Sequence, residues 1–140
     1  LKMLERLKLC FLAIFLFLLV GCNSNIMVSP NITVEGETIS TIGYSGTSAD
    51  TESDKPPVIY EMLDITVVKP KAEISISYKD TPKKVLVKSW YGAKLVEDDR
   101  ELKEYKITVP SEEGIYIYSL AARWNFRTAS NSVFVLEVKR

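Results

Sequence analysis

The chain contains no histidine, and its two cysteines, Cys10 and Cys22, both lie near the amino terminus. Histidine is the commonest general base in enzymes. Its absence also excludes the usual serine and cysteine triads and most zinc sites. No thiol follows Cys22, so the rest of the chain has no disulfide framework. We therefore expect a domain that is held together by an apolar core.

An excess of charge of either sign is lacking as well, because 18 lysines and arginines balance 18 aspartates and glutamates. No lysine- or arginine-rich run follows the first ten residues, so the electrostatic footprint of a nucleic-acid-binding protein is missing. The 140 residues allow one domain of ordinary size. These features predict a single non-catalytic domain with no cofactor, no metal site and no nucleic-acid partner.

Residues 1–21 have the order of parts that a secretory signal needs. Three cations lie within residues 2–8, and an apolar stretch from Leu9 to Val20 follows before polar chain begins at Gly21. The stretch is shorter than the about 20 apolar residues of a membrane-spanning helix. Export followed by cleavage fits better than a retained helix. A specific role for Cys22, which follows the stretch, is favoured over three alternatives: an ordinary secretory signal with an accidental cysteine, an uncleaved signal anchor, or a buried amphipathic segment of the domain.

The run Leu19-Val20-Gly21-Cys22 resembles the lipobox of bacterial lipoproteins. The resemblance implies that the Cys22 thiol is acylated and that a signal peptidase cuts just before it. Acyl chains hold a protein on a membrane because each buried CH₂ contributes about 0.8 kcal/mol. We therefore predict a lipoprotein signal peptide at 1–21, lipidation at Cys22, and a lipid-anchored location on the extracytoplasmic face of the cell membrane.

The rest of the chain has the sequence pattern of an all-β domain. Residues 22–30 are short and uncharged and are predicted to be a tether, whereas 31–140 alternate apolar and polar residues between breaks at Pro and Gly. We expect a long surface loop at 45–57 and one helical turn at 58–63. Such strands predict an antiparallel β-sandwich. The predicted strands are a hairpin of 32–35 and 39–42, followed by 64–69, 73–78, 85–91, 105–109, 115–124 and 133–138.

The run from Glu112 to Tyr118 resembles the E–F corner of immunoglobulin-like (Ig-like) domains. That resemblance implies a corner role for Tyr116, whose hydroxyl would bond to nearby backbone, and places Tyr118 where antibody domains carry a disulfide cysteine. Gly114 suits the bend, because glycine adopts a positive φ without steric cost. Trp90 lies on the strand that corresponds to strand C, where such domains bury a tryptophan.

A narrower resemblance joins the region after Ile65 to small Ig-like lipoproteins of Gram-positive, Bacillus-type bacteria. It implies the fold and the anchor, and it carries no activity. The segments that support it are Val68 to Ile74, Lys84 to Trp90, Gly114 to Tyr118, Ala122 to Trp124 and Phe134 to Val138.

Two groups of residues are candidate sites. Trp124, Phe126 and Arg127 lie at the predicted F–G turn and are of types that are enriched in binding hot spots. Alternatively, Trp124 is in phase with Tyr116 and extends the core, while Phe126 packs across the hairpin. An acidic cluster, Glu97-Asp98-Asp99 with Glu101, offers oxygen ligands for calcium but lacks the spacing of an EF-hand. We interpret it as a solvated acidic loop.

These features lead to the hypothesis of a membrane-anchored envelope lipoprotein whose Ig-like domain is a binding or accessory module. Its partner would be an envelope protein or the cell wall. The alternative is a structural cell-surface protein with no discrete ligand site. Protease inhibition of the chagasin type finds little support, because the Asn-Pro-Thr-Thr-Gly and glycine-rich loop motifs of those inhibitors are missing.

Overall fold

A computed structural model describes residues 2–8, 10, 28–44, 54–126 and 128–140. Residues 2–8 and 10 are helical. Cys22 and Arg127 lie outside the described residues, and so does most of the predicted loop at 45–57. The strands are β1 (Asn31–Val34), β2 (Glu37–Thr38), β3 (Ile42–Tyr44), β4 (Thr66–Val68), β5 (Glu73–Ser77), β6 (Lys84–Tyr91), β7 (Lys94–Glu101), β8 (Lys106–Thr108), β9 (Gly114–Arg123) and β10 (Ala129–Val138), with one 3₁₀ helix at Val58–Met62.

The strands form two sheets, which confirms the predicted all-β sandwich. The first sheet has the order β2-β1-β5-β8 and is antiparallel throughout. The second has the order β3-β10-β9-β6-β7, and the short β4 pairs in parallel with the end of β10. The long hairpin of β9 and β10 lies at the centre of the second sheet and pairs residue by residue from Gly114–Val138 to Arg123–Ala129.

The central core lies between the two sheets. Alternation on β5 sends Ile74 and Ile76 inward and Ser75 and Ser77 outward, as the sequence predicts. Tyr118 of β9 and Phe134 of β10 also lie in the central core, and their rings stack with centroids 5.0 Å apart. Each large apolar side chain buried in this way contributes about 1.5–3 kcal/mol relative to exposure, so the core provides the stability that no disulfide provides.

The second sheet is apolar on its outer face as well. There Trp90, Ile117, Val133 and Val135 are buried in a separate group, which we call the outer cluster. Ile59 and Tyr60 of the 3₁₀ helix and Leu63, just after it, pack against this cluster. Trp90 is thus buried, with 2% of its surface exposed, but it lies in the outer cluster and not in the central core. Its indole N–H donates to the backbone oxygen of Asp54 at 2.9 Å.

One predicted strand and one predicted loop are wrong in detail. The predicted strand 39–42 is not a single strand paired with β1. The strand that pairs with β1 ends at Thr38, and the chain then crosses to the second sheet, where Ile42 to Tyr44 pair with β10. The acidic segment 97–99 is not a loop, since it lies within β7. A β-bulge interrupts the pairing of β6 with β7, and Asp99 adopts a φ of 49°. The predicted helical turn after Pro57 is confirmed.

Gly114 begins β9 at a φ of +150°, in the positive region expected for this bend. A Cβ built on it would lie 2.4 Å from a ring carbon of Tyr91. That ring is held in place by its hydroxyl, which donates to the backbone oxygen of Glu113, and by Tyr116, 5.0 Å away. The position therefore requires glycine for both conformation and space.

We expect Gly114→Ala to lower the free energy of unfolding by about 3 kcal/mol, because strain at φ adds to displacement of Tyr91. Gly36→Ala is the matched control: its φ is +82°, but no atom lies within 4 Å of the added carbon. Its cost should be about 1 kcal/mol. Urea unfolding measures both, and equal losses would show that Tyr91 does not restrict position 114.

Candidate functional site

The β9–β10 turn, which contains the candidate residues Trp124, Phe126 and Arg127, lies at one end of the sandwich. The connection from β5 to β6 packs beside it: the backbone N–H of Lys83 donates to the oxygen of Arg123 at 2.9 Å. Lys84 opposes Arg123 in the pairing of β6 with β9. We call this surface, made of residues 78–84 and 123–126, the basic end.

Trp124 is a structural residue of the basic end. Its ring meets that of Tyr78 edge-on, with centroids 5.4 Å apart, and packs against the central core. Its indole N–H donates to the backbone oxygen of Asp80 at 2.8 Å. The interpretation that Trp124 extends the core face is confirmed, and its contacts join the turn to the β5–β6 connection.

Phe126 is placed differently, since 88% of its surface is exposed. The expectation that it packs across the hairpin is therefore wrong. Asn125 stabilises the turn that presents it, because its side-chain oxygen accepts a hydrogen bond from the backbone N–H of Thr128 at 2.8 Å. The turn closes with the N–H of Trp124 donating to the oxygen of Thr128. A large apolar side chain is thus held out from an ordered turn.

Four exposed cations lie on the segments that form the basic end. They are Lys79, Lys83, Lys84 and Arg123, and Asp80 is the one carboxylate in residues 78–84 and 123–126. None of the four forms an ion pair with another described residue, whereas Lys88, Arg100 and Lys106 do. This group of cations was not identified from the sequence. The adjacent pair Lys83-Lys84 is the one local feature that could have indicated it.

The interior beneath the basic end is more polar than the centre of the sandwich. Ser130 and Ser132 are buried on the inner side of β10, and neither their hydroxyls nor that of Tyr78 has a hydrogen-bond partner among the described residues. Burial, and then the neighbouring Tyr105, raise the pKa of Tyr78 above its ordinary range. A depression of about 240 Å³ lies beside Tyr78 and Tyr105. It is smaller than the about 300–1,000 Å³ of typical ligand pockets.

Two of the four acidic residues of β7, Glu97 and Asp98, have side-chain partners. Glu97 accepts from the Ser89 hydroxyl at 2.9 Å and from Arg100 at 2.7 Å. Asp98 lies 3.4 Å from the Lys88 ammonium. In the part of the chain that the structure describes, no group of three or more acidic or cysteine side chains is placed to hold a metal ion. Glu97 and Asp98 of the predicted acidic cluster therefore contact different cations of the sheet, Arg100 and Lys88.

Comparison with known protein families and with curated proteins found no match for the chain. None of the helices in the described part of the chain has the length and apolar character needed to cross a bilayer.

We expect the two aromatic residues of the turn to differ sharply on truncation. Trp124→Ala should lower the free energy of unfolding by about 2–3 kcal/mol, because it removes the contact with Tyr78 and the bond to Asp80. Phe126→Ala should change it by no more than about 0.5 kcal/mol, as exposed substitutions do. Chemical denaturation measures both, and a large loss in Phe126→Ala would contradict the placement of that ring.

Proposed function

We propose that this chain is a lipoprotein of the bacterial cell envelope, held on the extracytoplasmic face of the membrane through acylated Cys22. The observation that carries the proposal is the lipobox Leu19-Val20-Gly21-Cys22 at the end of a basic and then apolar segment. Acylation requires a thiol at that position. After cleavage before Cys22, the chain would keep no other thiol.

We further propose that the sandwich is Ig-like. Its order β1-β5-β8 opposite β10-β9-β6-β7 corresponds to strands A-B-E opposite G-F-C-C′ of variable-type Ig domains. Tyr116 supports the assignment, because its hydroxyl donates to the backbone oxygen of Glu112 at 2.9 Å, as in a tyrosine corner. Burial, then Glu112 and Tyr91, raise the pKa of this hydroxyl. The outer position of Trp90 is a departure from the Ig pattern.

The domain acts in this proposal as a non-catalytic binding or accessory module. The absence of histidine from the sequence supports this, and so does an ordered turn that presents Phe126 among cations. An envelope protein or the cell wall is the expected partner. A purely structural cell-surface protein is the alternative: cross-linking of the lipidated protein on intact cells would then enrich no partner, whereas a binding module should recover a specific one.

Metabolic labelling with a clickable fatty acid tests the anchor. When the full chain is expressed in a bacterium that processes lipoproteins, we expect label on the native protein and none on Cys22→Ser. Cys10→Ser is the matched control, since it removes a thiol of the same leader and should keep full label. Label that persists in Cys22→Ser, or that disappears in Cys10→Ser instead, would overturn the proposed site.

A further inference from the structure

The tether enters the sandwich at the basic end. β1 pairs with β5 so that its first residue, Asn31, opposes Ser77, which is followed directly by Tyr78 of the basic end. Pro30, just before β1, is buried. Seven residues lie between Cys22 and Pro30, and the eight steps along the chain can span at most about 28 Å. An anchor at Cys22 therefore holds the start of β1, at the basic end, within about 28 Å of the lipid surface.

The opposite end of the sandwich differs from the basic end in its charge and in its exposed apolar side chains. Its turns carry charges of both signs, and the β6–β7 turn there, Gly92 and Ala93, presents no large apolar side chain. Eight residues of β6 separate the two ends, which corresponds to about 26 Å at the usual rise of a strand. At the basic end, four cations accompany Phe126 and one carboxylate.

We propose that the basic end docks on an anionic lipid bilayer, with Phe126 at the level of the headgroups and the four cations over the lipid phosphates. The inference rests on the proposed anchor at Cys22, because that anchor brings this end to the membrane. Three properties fit a lipid surface: an exposed apolar ring, an excess of cations without ion-pair partners, and a side chain presented from a fixed turn.

Each property has a physical role at a membrane. Cations near an anionic surface are attracted through the surface potential, and an apolar side chain beside them enters the boundary between headgroups and acyl chains. Trp124 and Tyr78 lie behind Phe126 and brace the turn, so little conformational freedom is lost on docking. The acyl anchor and the basic end together form two membrane signals in one chain, and each reinforces the other.

Depth-dependent quenching by brominated lipids tests this contact. The full chain with Phe126→Trp is produced in lipidated form and reconstituted into vesicles of phosphatidylglycerol and phosphatidylcholine with brominated acyl chains. Native Trp90 is buried and native Trp124 half-buried, so the unsubstituted protein supplies the background. Ala93→Trp is the matched control, because it places an exposed tryptophan at the opposite end.

We expect the tryptophan at position 126 to be quenched several-fold more strongly than the one at position 93. The difference should shrink in phosphatidylcholine alone, at high salt, and when Lys83→Glu and Lys84→Glu are added to Phe126→Trp, because screening and charge reversal weaken attraction to the lipid phosphates. Equal, weak quenching at both positions in anionic vesicles would overturn the proposal and leave a protein partner as the occupant of this surface.

Failure of the anchor and failure of the docking give different results. A protein that is not acylated would carry no fatty-acid label, whatever its fluorescence. A protein that is labelled and floats with the vesicles, yet shows no selective quenching at position 126, would keep the anchor and contradict the docking.

Discussion

Burial of the second sheet on both faces is the constraint on which the structure depends. β9 sends Tyr116, Tyr118 and Leu120 into the central core and Ile117 into the outer cluster, so neither face can remain in water. The first sheet covers one face. Residues 54–63 pack on the other face, through the 3₁₀ helix and the bond from Trp90 to Asp54. The chain just before β4 thus helps to bury the outer face of the second sheet.

The same topology gives the sandwich two unlike ends. Hydrogen bonds and the contact between Trp124 and Tyr78 join the β9–β10 turn to the β5–β6 connection, and this brings cations from separate parts of the chain around Phe126. The pairing of β1 with β5 brings the tether to the same place. An anchor at Cys22 would act together with this surface, because a short tether gives the surface a high effective concentration at the membrane.

Much of the fold could be predicted from the sequence, since alternation of apolar and polar residues identifies strands with one buried and one solvent-exposed face. Glu73 to Tyr78 is of this kind. The bond from the Tyr116 hydroxyl to nearby backbone was implied by the resemblance to Ig-like domains and not by alternation. Trp90 could not be assigned to a face, because strands buried on both sides lose the period-two signal. The β7 strand was missed because charged side chains and a bulge at Asp99 conceal its pattern. The basic end depends on contacts between distant segments, which no local pattern reveals.

We propose that acylation of one cysteine, Cys22, delivers this sandwich to a membrane. Intact-mass spectrometry of the protein from the membrane fraction of an expressing bacterium tests it most directly. The account predicts a chain that begins at Cys22 and carries the added mass of a diacylglyceryl group. A mature chain that begins at any other residue, or one that begins at Cys22 without lipid, would contradict it.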